Sequence, residues 1–263
     1  MTEQNTSRID DISKYYRPAE ITNRFASILF IIIAVFSIGL LYADKIPSQF
    51  VDISKLLFII LVISYFLLSF IAREYLVPTA ERTRRKQMLS NSLGTPLTHE
   101  RTKLYYNNTY RPSIIKIGAN CLENLFFSKN IASDMLIKTR VVTSIYIIIW
   151  VSLFAVRQSD LGLLIIITQV VFSGEIIARW LSLETLKNRH SRAYEQLYEF
   201  FRHDIKPDSN NSIATILDSF ADYESTKAAS GVLLSSKTFS KLNPKLSSEW
   251  NSIRNELNMN DPR

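Results

Sequence analysis

Four apolar stretches, set as two close pairs around a basic middle segment, constrain this chain more than anything else in it. They run from Phe25 to Tyr42, Leu56 to Ala72, Val141 to Val156 and Leu161 to Ile177. Each is 16–18 residues long and dominated by Ile, Leu, Val, Phe and Ala, with no Asp, Glu, Lys or Arg before its last turn. A bilayer core about 30 Å thick takes about 17–25 such residues in a helix. Hydrocarbon offers backbone N–H and C=O groups no partner, so a run of that length implies a helix that satisfies its own hydrogen bonds. The expected fold is an all-α integral membrane protein with four transmembrane helices in two hairpins.

Charge orients the hairpins. The chain carries a formal net charge of +7 over 263 residues, and the excess is not spread evenly. Lys14, Arg17 and Arg24 precede the first stretch. Residues 73–140 hold twelve Lys and Arg against five acids, and Arg179, Lys187, Arg189 and Arg192 follow the fourth stretch. The short connections are balanced: Asp44 and Asp52 against Lys45 and Lys55, and Arg157 against Asp160. Cytoplasmic loops carry the Lys and Arg excess of a polytopic protein, so both termini and the middle segment are expected in the cytoplasm. The division that follows is 1–24, cytoplasmic; 25–72, first hairpin; 73–140, basic helical segment; 141–177, second hairpin; 178–263, helical C-terminal domain. A cleavable signal peptide is not expected, because the first apolar stretch is longer than a typical h-region and no A-x-A site follows it. The single Cys121 excludes an internal disulfide framework.

Outside the stretches the pattern is helical, with no alternating strand signal. Val77-Pro78 marks an expected boundary, since the residue before proline is pushed out of the α region. A short helix is expected over 79–90, then a loop at 91–96, with Thr95 or Thr98 as candidate caps for a further helix. Ser113 to Thr139 shows apolar residues at helical spacing (Ile114, Ile117, Leu122, Leu125, Phe126, Ile131, Met135) and a candidate break near Ser128 to Asn130. The fourth stretch is expected to continue as helix towards Phe201. After a loop at 207–212 come helices over 213–229 and 246–257, the last preceded by Pro244.

Candidate sites are few. Arg82, Arg84, Arg85 and Lys86, with Arg101 and Lys103, form the one surface suited to an anionic ligand, whether a nucleotide signal or a lipid head group. The plainer reading of a basic run just inside a span is topology alone. Thr168, Gln169 and Ser173 are the candidate pore-lining residues, Gln169 and Ser173 sharing a helix face at a spacing of four; interhelical packing is the plainer reading. Tyr105, Tyr106 and Tyr110, followed by Arg111, could stack on a base, or could dock the middle segment on the C-terminal domain or anchor it at the membrane interface. Glu175 is expected to pair with Arg179. Cys121 reads as a packed thiol. No catalytic residue and no metal or other cofactor is expected: His99, His190 and His203 lack companions at ligand spacing, and neither a phosphate loop nor a nucleophile elbow occurs.

The two spans, central cytoplasmic segment, two further spans and helical tail carry a family resemblance. So do Leu93-Gly94-Thr95, Tyr105-Tyr106-Asn107-Asn108 to Lys116, Glu123-Asn124-Leu125-Phe126-Phe127, Tyr223-Glu224, and Leu242-Asn243-Pro244 to Trp250. In these features the chain resembles the bacterial SMODS-associated four-transmembrane (S-4TM) effectors of nucleotide-signalled antiphage defence. The resemblance implies a multi-pass protein of the bacterial inner membrane that a cyclic nucleotide or oligonucleotide triggers to permeabilise the bilayer as a homo-oligomer. It assigns no role to any single residue, and no DNA or RNA polymer is expected as partner. The alternative is a non-pore scaffold or regulator whose tail docks a soluble partner through Tyr194, Tyr198, Phe200, Phe201, Phe220, Tyr223 and Trp250. A small transporter is disfavoured, because the stretches contain neither a broken helix nor a midplane charge.

Overall fold

The computed structural model describes residues 9–40, 47–100, 102–103, 105–106, 108–155, 161–171, 175–203 and 209–259. Among these the regular structure is helical, apart from one antiparallel bridge between β1 (Ile9–Asp10) and β2 (Thr102–Lys103). The helices are α1 (Ser13–Leu40), α2 (Ser48–Ile71), α3 (Val77–Leu93), α4 (Ile114–Ala155), α5 (Leu161–Val171), α6 (Ile177–Arg202), α7 (Asn210–Ser230) and α8 (Ser236–Glu256).

Three helical segments are long and apolar enough to cross a membrane: Ser13–Leu40, Phe50–Leu93 and Ile114–Ser152. Only 6%, 6% and 11% of their most apolar windows is buried within the chain. Ile31, Val35, Phe66 and Ile148 each stand about 60% or more exposed. Side chains of that kind on three whole helices require an apolar solvent, which water is not and lipid is. The protein is a membrane protein. Of the fourth apolar stretch, α5 covers the first eleven residues; Val156 and residues 172–174 lie outside the described residues.

The expected boundary at Val77-Pro78 is not a break. Pro78 has no N–H to return to the carbonyl four residues back, and its ring crowds that carbonyl. The helix answers by widening into a π turn over Ala72–Leu76, in which the Val77 N–H reaches back to the Ala72 carbonyl. Helix therefore runs from Ser48 to Leu93, where Gly94, at φ +67, closes it. The candidate break near Ser128 to Asn130 is absent too: α4 passes through it, and Asn130 and Ser133 bond back to the carbonyls of Phe126 and Lys129. No helix follows Thr95 or Thr98; residues 95–100 are irregular.

By internal contacts the chain forms two units. The first comprises Met1–Tyr16, Pro78–Met135 and Leu183–Arg263, and the second Arg17–Val77 and Leu136–Ser182. The first unit has a conventional core. The N-terminal half of α4 supplies Leu122, Leu125 and Phe126, and α6 supplies Tyr194, Leu197 and Phe201. From α7 come Ile216 and Tyr223, and from α8 Leu246 and Trp250, all buried. Phe126 meets Tyr194 and Trp250 with ring centroids 6.0 and 5.8 Å apart. Gly118 lets α4 come close: a Cβ there would lie 3.0 Å from Ile216 and 3.2 Å from Phe201. Ser209 and Ser235 cap α7 and α8 by accepting from the N–H groups of Ser212 and Thr238.

In the second unit, Phe36 stacks on Phe58 at 6.3 Å and Phe30 meets Tyr65 at 6.0 Å, joining α1 to α2. The Trp150 indole donates to the Thr168 hydroxyl at 2.8 Å, joining α4 to α5.

Candidate functional site

The basic run on α3 divides by helical face. Positions 81, 84 and 88 turn towards the rest of their unit, 82 and 86 turn out, and Arg85 stands exposed at the edge between them. Met88 is buried, whereas Arg82 and Lys86 are exposed.

Arg84 is not free. Its Nη1 and Nη2 donate to Oδ1 and Oδ2 of Asp10, both at 2.9 Å, in a two-pronged pair. The guanidinium carbon lies 4.4 Å from the centroid of the Tyr105 ring and 5.7 Å from that of Tyr16. The side chains are 11% and 20% exposed, so the pair is largely removed from water. Asp10 arrives on the β1–β2 bridge, in which it faces Thr102, and the Gln87 amide donates to the Thr102 hydroxyl at 2.7 Å. Lys14 and Tyr15 both donate to the Glu100 carboxylate, at 2.9 and 2.7 Å. These two bonds hold that carboxyl below its ordinary range. Residues 9–16, directly ahead of the first apolar stretch, thus form a strap fastened to α3 and to the 95–103 segment.

Arg85 and Glu81 belong to a second network. Glu81 pairs with Lys227 of α7; Lys227 also lies 3.6 Å from Glu224, and Arg85 lies 3.6 Å from Glu224 on its other side. Two carboxylates and two cations therefore balance. Burial pushes the Glu224 carboxyl up against the opposing pull of Lys227. Burial works to discharge Lys227, but Glu81 and Glu224 outweigh it and keep the ammonium charged. Cys121 is fully buried.

His190, which no sequence pattern singles out, sits beside this network. It is 1% exposed, its ring is 5.3 Å from that of Tyr223, and neither ring nitrogen has a hydrogen-bond partner among the described residues. Burial, assisted by the charge of Lys227, lowers it to about 3. The tyrosines divide as well. Tyr105 lies against Arg84, and the Tyr106 hydroxyl is 3.4 Å from the Asn124 amide. Tyr110 is buried against Phe201, so it docks the middle segment on α6. Asn120, fully buried, accepts from Asn108 and donates to Asn91 and Ser92, which pins the connecting loop to α4.

Of the remaining anion-binding candidates, Lys103 lies in β2 and Arg101 lies outside the described residues. Among the pore-lining candidates, Thr168 is engaged with Trp150, Gln169 is exposed on α5, and Ser173 lies outside the described residues. Glu175 pairs with Arg179 at 3.6 Å as its spacing predicts, and it also accepts from the Tyr65 hydroxyl at 3.0 Å. That second partner lies 110 positions away in sequence, where no local pattern reaches. Among the described residues no group of His, Cys, Asp and Glu could hold a metal ion. Comparison of the chain with protein-family models, curated proteins and solved structures finds no match in any of the three.

Proposed function

We propose that this chain is a signal-gated, membrane-disrupting effector. In this reading it crosses the bacterial inner membrane four times, as two hairpins with both termini cytoplasmic. Copies assemble into a pore when an anionic nucleotide signal, cyclic or oligomeric, engages the cytoplasmic part. The antiphage setting and the kind of signal follow from the S-4TM resemblance; the mechanism follows from the chain.

The observation that carries it is α4, one helix of 42 residues. Its first half is the centre of a packed, charge-rich unit, and its second half presents exposed Ile and Val. A signal bound to such a unit can act on the membrane segment only if it favours one arrangement of these helices over another. A few kcal/mol of differential binding moves a lightly biased equilibrium. The bond from Trp150 to Thr168 supports reading α5 as the return arm of the second hairpin, and so supports the fourth span.

The scaffold alternative loses its main surface, because Tyr194, Phe201, Tyr223 and Trp250 are buried in the chain's own core. No chemical step is proposed. Gln169, exposed on α5, is the residue assigned to the pore lining. Single-channel recording of Gln169→Glu is expected to shift the reversal potential towards cation selectivity, since a ring of carboxylates attracts cations. A conducting variant with the wild-type reversal potential removes Gln169 from the lining.

A further inference from the structure

We propose that the Asp10 carboxylate is a built-in stand-in for ligand, and that the Arg84 fork beside Tyr105 and Tyr16 is a binding site for the phosphate group of a phosphate ester. What binding then does to the membrane rests on the gated reading above; the site itself does not.

Carboxylate and phosphate offer a guanidinium the same feature, two oxygens at the spacing of its paired N–H groups. Arg84 presents that fork from a 17-residue helix, with the Tyr105 ring 4.4 Å from the guanidinium, so its placement does not depend on Asp10. Asp10 sits on a shorter element, two residues ahead of the fully buried Ile12. It comes from a bridge of two residues and is held locally by the Ser13 hydroxyl and the Ile12 N–H. A long rigid element carries the cation, and a short strap carries the anion.

The balance of charge dictates how such a pair opens. Arg84 is 11% exposed, and an unpaired guanidinium left at that depth is strongly unfavourable. Asp10 therefore does not leave on its own account; another anion must take its place. Tyr105 and Tyr16 supply flat faces beside the fork, which suits an ester whose other end is an aromatic ring. Once a phosphate holds Arg84, the Asp10 end of the strap is released from α3, while Lys14 and Tyr15 keep their bonds to Glu100 and Tyr16 stays beside the fork. The apolar helix α1 begins at Ser13, three residues after Asp10.

The test is calorimetric titration of full-length protein in phosphatidylcholine nanodiscs with adenosine monophosphate. Wild type, Asp10→Asn and Arg84→Gln are compared. Asp10→Asn keeps the shape of the strap and removes the competing charge, so it is expected to bind about tenfold tighter than wild type, as expected when self-occupancy no longer limits the open fork. Arg84→Gln, alone or with Asp10→Asn, is expected to lose binding. Amide exchange over residues 9–12 is expected to speed up when wild type is saturated.

If adenosine monophosphate is inert but nanodiscs containing phosphatidylglycerol release the strap in an Arg84-dependent way, the site stands and its phosphate belongs to lipid. Equal affinity in wild type and Asp10→Asn, retained binding in Arg84→Gln, or no response to either phosphate source overturns the proposal and leaves a structural ion pair only. Tighter binding by Asp10→Asn without membrane leak in any condition keeps the site and overturns the gated reading instead.

Discussion

His190 holds a neutral imidazole in the packed unit, between the ring of Tyr223 and the charge of Lys227. Its folded value, about 3, is depressed, whereas in the unfolded chain it takes up a proton below about 6.5. The unfolded state therefore binds more protons across that window. The stabilisation that neutral His190 provides is complete above about pH 6.5 and is lost as pH falls from there towards 3. The slope is at most about 1.4 kcal/mol per pH unit, or about 2 kcal/mol by pH 5. His190→Phe keeps an aromatic ring against Tyr223 and removes the titration. Thermal unfolding of the two full-length proteins at pH 7.5 and pH 5.0 is expected to show a markedly smaller acid loss in the variant. Equal losses place the acid sensitivity elsewhere, with Glu100, whose carboxyl the bonds from Tyr15 and Lys14 hold below its ordinary range, the first group to test. Nothing in sequence marks His190, because its two contacts come from a helix more than thirty residues away. Arg84 was legible as part of a basic run, but its partner was not: Asp10 lies 74 positions earlier. Spacing along one helix shows which charges share a face, and it is silent on what meets that face.

Among the elements, the π turn at Ala72–Leu76 behaves as one extra residue inserted in a helix. It lies directly ahead of α3, the helix that carries Glu81 and Arg84. Deleting Tyr75 together with Pro78→Ala should convert the segment to plain α-helix while keeping both flanks in register. Deleting Arg82 instead should turn the rest of α3 by about 100° and separate Arg84 from Asp10. The first variant is expected to melt within a few degrees of wild type and the second to lose cooperative unfolding. Comparable melts for both would mean that the register of α3 does not decide the Arg84–Asp10 pair.

Helix type was readable from periodicity throughout, and the proline signals were where it misled. Pro78 and Pro244 both read as boundaries. Pro78 is absorbed by the π turn, while Pro244 lies inside α8, which starts at Ser236 rather than Leu246. The carbonyl that Pro244 leaves without an intrahelical bond is that of Ser240; both residues are exposed, so water can serve it. A proline rule applied to sequence cannot know which side of the helix faces water.

At the scale of the whole molecule, the apolar stretches were legible because a bilayer imposes a length and a composition that few other settings demand. The interleaving was not. Residues 1–16, 78–135 and 183–263 form one unit and 17–77 with 136–182 the other, and periodicity within a segment does not say which distant segment covers it. The proposed four-span topology makes a direct prediction. Cys121 is the only cysteine, so a Cys121→Ser background carries a single reporter wherever one is placed. Gln158→Cys, which that topology puts between the third and fourth spans, is expected to react with an impermeant maleimide added to intact cells, and Ser13→Cys only after lysis. Protection of Gln158→Cys in intact cells would remove the second hairpin.

The most direct test of the gated effector is dye and ion leak from liposomes holding the purified protein, without ligand and with each of a panel of cyclic nucleotides and oligonucleotides. Tight vesicles that leak with one ligand, and stay tight with it when the protein carries Arg84→Gln, are the predicted result. Vesicles that stay tight with every ligand, with the protein shown to be folded and inserted, would contradict the account.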